Sequence, residues 1–284
     1  MRIIEPSHLK RRSIKKKKSH KRLYLILVLL SFGLVFVWTQ INPKKIDSAI
    51  DLKQVSNTSV KGVAVAEVPK KNTLKEFSNT GFVDFYGSFA YPNTSEIISP
   101  PVITGNPEAD KRIQSIAEKR GYKLRSAPIS APVSTFEGMQ IQQKAQQPLA
   151  DLFTEAKKAG HILTLTAAFR SVDDQRELFV GRLNAKMTDI ALGLADASVE
   201  ETLKTTAPPG YSRHHNGFTI DIACGNVGGM AFLETDCFAW LSKDNFKMAK
   251  EFGWIPSYPD GASSVGPEPE PWEYVWVSKG SLLE

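Results

Sequence analysis

The sequence predicts an α+β domain, a small antiparallel sheet with helices packed on its other face, preceded by a single membrane-crossing helix. Three observations predict it. Helical stripes and alternating apolar segments both occur, but not in the regular strand–helix order that builds a parallel sheet. No segment repeats, which removes solenoids and propellers. A dense basic stretch is followed at once by an uncharged apolar run.

The net charge of +6 is concentrated in that basic stretch. Arg11, Arg12, Lys15, Lys16, Lys17, Lys18, Lys21 and Arg22 all precede the apolar run. Without them the chain is close to neutral, so no nucleic-acid partner is expected. Residues 1–22 read as a cytoplasmic tail. Leu23 to Trp38 carries no charge, and Thr39-Gln40-Ile41 extends it. About 18 apolar residues are just enough for a helix to cross a bilayer. The preceding positive charge sets the N-terminus in the cytoplasm, and Trp38 suits the outer interface. A cleaved signal peptide is the rival, but Phe36-Val37-Trp38-Thr39-Gln40 offers no small-x-small site. The expectation is an uncleaved, single-pass cell-membrane anchor over 23–41, with the bulk of the chain outside the cytoplasm.

Residues 42–105 are polar and punctuated by proline, and read as a stem. Within them Gly81 to Gly87 could add a strand or dock on the body; the residues leave both open. The folded domain is expected over 106–284. Asn106 is a good N-cap, Pro107 suits the first helical position, and Ala109, Ile113 and Ile116 share one face before Gly121. A second helix is expected over 146–159, with Leu149, Leu152, Phe153 and Ala156 as its stripe. His161 to Ala167 reads as a strand opening on a buried structural histidine. Ser171 and Asp174 then resemble a capping box for a third helix. Short helices fill 188–205 up to the Pro208-Pro209-Gly210 break. A helix over 239–252 and a last strand over 272–277 complete the domain.

Between them lies Tyr211-Ser212-Arg213-His214-His215-Asn216-Gly217, running into the alternating strand Phe218-Thr219-Ile220-Asp221-Ile222. His214 and Asp221 are seven positions apart and cannot share one face of a continuous strand. Gly217 permits a bulge or tight turn that lets imidazole and carboxylate converge. Such a pair suits a divalent metal such as zinc. The spacing alone fits a surface loop with two incidental histidines equally well.

Ser212-x-His214-x-x-Gly217-x-x-x-Asp221 resembles the metal-binding signature of the D-alanyl-D-alanine carboxypeptidases that trim bacterial peptidoglycan. These zinc peptidases are relatives of the vancomycin-resistance carboxypeptidases and share a fold with the hedgehog signalling domain. Two more segments occur in the family's order. Phe169-Arg170-Ser171-Val172-Asp173-Asp174-Gln175 looks like its Arg-Ser-x-x-x-Gln segment, and Glu270-Pro271-Trp272-Glu273 like its Glu-x-Trp-His segment with the last residue changed. The resemblance covers roughly Asn106 to Lys279 and implies an antiparallel sheet that carries one Zn²⁺.

By this resemblance His214 and Asp221 are metal ligands, Glu270 is the general base and Arg170 steadies the oxyanion. Gln175 and Ser212 would contact substrate, a peptidoglycan stem peptide; an exposed helix glutamine and a plain turn serine are their bland readings. His215 should point away from the metal, either behind the ligands or at the surface. Trp272 and Trp276 should pack the strand. Glu273 stands where the family has histidine. As third ligand it would give one nitrogen and two carboxylates, a set that also accepts harder divalent metals. Otherwise the domain is a metal-free wall-peptide-binding module. A purely structural membrane protein is the remaining reading, against which the His/Asp/Glu/Arg set speaks. Cys224 and Cys237 bracket about a dozen residues; outside the cytoplasm a disulfide is favoured, worth roughly 3 kcal/mol by loop closure. Zinc ligation by a cysteine is the rival.

Overall fold

The computed structural model describes residues 73–132, 134–261 and 265–284. The expected basic tail (1–22), the expected membrane anchor (23–41) and residues 42–72 of the expected stem lie outside the described residues. Among the described residues no helix is long and apolar enough to cross a membrane.

The centre is a four-stranded antiparallel sheet in the order β5 (Leu163–Ala167), β6 (Thr219–Cys224), β8 (Glu270–Trp276), β7 (Trp254–Tyr258). Along β6 the residues alternate, with Ile220 and Ile222 buried in the main core and Asp221 between them. That core also takes Leu149, Leu152 and Ala156 from α3 (Gln143–Lys158) and Leu241 and Ala249 from the run α7 (Asp236–Glu251). The run is broken where Asp244, Asn245 and Phe246 take left-handed backbone angles. Asn245 is fixed there by exchanging hydrogen bonds with both backbone groups of Phe77.

A second cluster joins α2 (Pro107–Lys119), α4 (Val172–Arg182), α5 (Met187–Ala191) and α6 (Asp196–Leu203) around Ile113, Phe179, Ile190 and Leu203. Helices therefore form two layers, not the single layer expected, and the second gives the sheet's polar side a wall. The caps fall where the residues called for them. Asn106 Oδ1 accepts from the Glu108 and Ala109 N–H groups, both at 3.1 Å, and the Ser171/Asp174 capping box is complete.

The folded body starts earlier than Asn106. Ser78 caps α1 (Asn79–Ser88), whose Phe82 and Tyr86, one helical turn apart, are buried in the main core. Leu74 bridges Leu283, and β1 (Thr94–Glu96) pairs with β2 (Ser126–Pro128). Residues 73–105, expected as stem, thus pack on the domain, with Phe82 and Tyr86 in its main core. A small hairpin of β3 (Ser134–Phe136) and β4 (Met139–Ile141) precedes α3.

Candidate metal and catalytic site

The turn expected at Gly217 is present. Arg213–Asn216 forms one 3-10 turn, capped by the Ser212 hydroxyl accepting from the His214 N–H at 3.3 Å. Gly217 ends it with φ 74°, and a Cβ there would press on Gln142 and Pro132. This reversal delivers His214 to the face that carries Asp221. Asp221 is in turn directly opposite Glu273 in the β6–β8 register. His214 Nε2 lies 3.3 Å from Asp221 Oδ1 and 3.3 Å from Glu273 Oε2.

The far side of the imidazole fixes its tautomer. Nδ1 is 2.7 Å from the Ala168 carbonyl, which can only accept, so Nδ1 carries a proton and Nε2 faces the two carboxylates. Asp221 Oδ1 and Glu273 Oε1 are buried and find no hydrogen-bond donor among the described residues. One ligand atom each from His214, Asp221 and Glu273 lies within 4.8 Å of the others, a donor set that fits a divalent cation. Without one, the position at Nε2 takes a proton: burial lowers the imidazole's pKa, but Asp221 and Glu273 outweigh it and push it up to about 9. For Glu273, burial works upward, while His214, Arg213 and Ser257 outweigh it and hold the carboxyl below its usual range.

Glu270 joins them. It lies three positions before Glu273, an odd offset that on a regular strand would set the two on opposite faces. The β7–β8 ladder is irregular at this point, pairing Pro256 with Tyr274 but Tyr258 with Glu270, and both carboxylates line one cleft. Burial first, then Glu273 and Asp221, raise the Glu270 carboxyl well above its usual pKa. Glu270 therefore sits on a strand, although its Pro-Glu-Pro-Glu-Pro context reads as a loop.

Arg170 and Gln175 line the same cleft, and Arg170 Nη1 donates to Gln175 Oε1 at 2.7 Å. Gln175 is buried, not an exposed helix residue, and its amide also donates to the Ala207 carbonyl at 2.7 Å. Ser212 is buried and lines the cleft as well as capping the turn. His215 is buried rather than at the surface, bonded to the Arg170 carbonyl. Trp276 packs on Phe218 and Trp272 against the main core, as expected, and Trp272 also lines the cleft. His161 is half-exposed, not buried, and leans on the Trp240 ring at 5.6 Å. Cys224 and Cys237 form the disulfide, so no thiol competes for the metal position.

Sequence reading missed Arg213. Its guanidinium is buried between the Tyr86 and Tyr258 rings, 3.9 and 3.6 Å from their centres, and donates to the Ser257 carbonyl and hydroxyl. Tyr122, Leu178, Arg182 and Thr206 complete the cleft and carried no motif signal.

Residues 138–279, half of the chain, match the family described as VanY: D-alanyl-D-alanine carboxypeptidase. The chain belongs to the VanY family. The match includes every site residue above apart from Tyr122 and Tyr86. YodJ of Bacillus subtilis (strain 168), named as a candidate carboxypeptidase, is 27% identical over 143 residues, 49% of this chain. The alignment spans 47% of YodJ, about half that relative's length. Among solved structures, a mutant of the vancomycin-resistance D,D-pentapeptidase VanY from a VanB-type cassette, in complex with Zn(II), is 20% identical. It has a TM-score of 0.41, with 55% of this chain and 85% of that chain covered. The LD-carboxypeptidase LdcB is 25% identical with a TM-score of 0.40, covering 54% and 69%.

Proposed function

We propose that this VanY-family protein is a membrane-anchored, metal-dependent peptidase that hydrolyses peptidoglycan stem peptides, as a D-alanyl-D-alanine carboxypeptidase does. The observation that carries the reading is the convergence of His214 Nε2, Asp221 Oδ1 and Glu273 Oε2, with buried oxygens left unpaired. These three residues would hold one Zn²⁺, or a harder divalent ion given two carboxylates. When bound, the ion supplies Lewis-acid polarisation of the scissile carbonyl and of the attacking water.

The rest is done by the chain's own groups. Glu270 takes the proton of the attacking water and returns it to the leaving amine. Glu270 lines the same cleft as His214, Asp221 and Glu273, which sets it beside the ion they would hold. Arg170, a fixed planar cation at the cleft wall, holds the carbonyl oxygen as it becomes negative. Ser212 donates to the terminal carboxylate of the peptide, and Trp272 closes one side of the cleft. An extracytoplasmic setting agrees with the Cys224–Cys237 disulfide, which persists in oxidising compartments.

The test is incubation of the full chain with muropeptides ending in D-Ala-D-Ala, following released D-alanine, together with metal analysis. Release that stops with a chelator and returns with Zn²⁺ is expected. Peptide binding with neither release nor bound metal would leave only the metal-free binding module.

A further inference from the structure

Arg170 is gripped at both ends by one short, stiff segment. At its guanidinium, Nη1 donates to Gln175 Oε1 at 2.7 Å, and the Gln175 amide donates to the Ala207 carbonyl at 2.7 Å. At its backbone, the Arg170 carbonyl is 2.8 Å from His215 Nδ1, and the Gly210 N–H donates to His215 Nε2 at 3.0 Å. A carbonyl only accepts and a backbone N–H only donates. Both bonds therefore require a neutral imidazole with its proton on Nδ1. Ala207 and Gly210 are the two ends of Ala207-Pro208-Pro209-Gly210, in which both prolines have fixed φ. Gly210 is itself pinned. Its φ is 88°, a Cβ would lie 2.5 Å from Pro101 Cδ, and its carbonyl accepts from the Arg125 N–H at 3.0 Å.

We propose that His215 is a positioning residue for the reaction: with Gln175 it ties Arg170 to the Ala207–Gly210 segment and so sets where the guanidinium points. The inference deepens the carboxypeptidase reading and rests on it for the kinetic part of its test. The His215 ring does not line the cleft; it acts through the Arg170 backbone. Gln175 does the same through the guanidinium, so its amide is already engaged before any peptide arrives. The circuit accounts for why two polar side chains, His215 and Gln175, are buried to 1% exposure at this place.

The full, zinc-loaded chain is assayed as wild type, His215→Leu, His215→Gln and Arg170→Met, and as the double variant H215L/R170M. Leucine removes both bonds at similar volume; glutamine can donate to one carbonyl and accept from one N–H. His215→Leu should lower kcat about tenfold to a hundredfold with unchanged metal content, the scale of a misplaced oxyanion group. His215→Gln should recover most of that loss. In the Arg170→Met background His215→Leu should cost less than about twofold, because a residue acting through another is silent once the other is gone. Wild-type kcat in His215→Leu, or an equal loss in both backgrounds, overturns the inference. If no variant including wild type cleaves peptide, it is the carboxypeptidase reading that fails. The positioning role is then decided by nitrogen NMR of isotope-labelled histidine and arginine. An Nδ1-protonated His215 and an Arg170 side chain that is rigid in wild type and mobile in His215→Leu sustain it. An Nε2-protonated His215 overturns it.

Discussion

Asp221 and Glu273 stand directly opposite one another across the β6–β8 ladder, two carboxylates where like charges oppose pairing. The register is tolerable only with a positive partner between them, and His214 Nε2, 3.3 Å from each, marks where it sits. In the metal-free protein that partner is a proton, held by an imidazole whose pKa is pushed from 6.5 to about 9. A group whose folded pKa is raised stabilises the fold fully below its unfolded value and loses that contribution as pH rises through the folded value. The metal-free chain should therefore lose stability between pH 6.5 and about 9. Bound zinc, which displaces the proton, should flatten that slope, and its affinity should climb with pH over the same window. Denaturant melts with and without zinc across this range check it; a metal-free profile without the fall would contradict the assigned counter-charge.

Replacing Glu273 tests whether it ligates. Glu273→Ala should cut zinc affinity by at least about a hundredfold, since even outer partners of a ligand cost ten- to a hundredfold. Glu273→His should keep zinc and raise activity, because one negative charge fewer leaves the ion a stronger Lewis acid. It should also lower the affinity for Mn²⁺ relative to Zn²⁺. Competition with a chromophoric chelator measures all three. Unchanged zinc binding in Glu273→Ala would mean the carboxylate only packs the strand.

Glu270 is assigned to proton transfer and not to metal holding. Glu270→Gln keeps the shape of the side chain and removes the base. Its kcat should fall about a hundredfold to ten-thousandfold, with zinc stoichiometry intact. Loss of metal together with activity would move Glu270 into the ligand set.

The legible parts of this chain are those whose cause is local. The α2 and α4 boundaries follow from Asn106-Pro107 and from the Ser171/Asp174 box, because capping is decided within four residues. The convergence of His214 and Asp221 needed only a glycine able to turn left-handed. What escaped depends on distant partners. Helix α1 holds Gly81 and Gly87 among aromatic residues and looks as much like a strand; Phe246 and Arg213, far along the chain, decide its burial. Strand β7 contains Pro256 and Glu270 lies among prolines, both local arguments against pairing that the sheet overrides. The burial of His215 is invisible until Arg170 and Gly210 are seen on either side of it.

The disulfide closes a loop with a sequence separation of 13. Replacing Cys224 and Cys237 together by alanine should lower stability by about 3 kcal/mol on the loop-closure relation. Zinc stoichiometry should not change, because neither sulfur faces the ligand set. Equilibrium unfolding in denaturant gives the first quantity and metal analysis the second. A drop in bound zinc would reinstate cysteine ligation.

The N-terminal elements provide the last prediction. Phe82 is fully buried among Phe77 and Phe246, and Tyr86, one turn on, covers one face of the Arg213 guanidinium beside His214. A chain beginning at Asn106 would open the main core and uncover that guanidinium, whereas one beginning at Thr73 retains both contacts. Phe82→Ala should cost about 3–5 kcal/mol, the range for emptying an aromatic site in a packed core. Tyr86→Leu keeps most of the apolar volume but gives up the ring–cation contact, worth about 2 kcal/mol where desolvated. Its loss should therefore be the smaller of the two. Comparing denaturant midpoints of the four proteins decides the matter. If the chain from Asn106 were as stable as the chain from Thr73, residues 73–105 would be an appendage and the part assigned to α1 would be wrong.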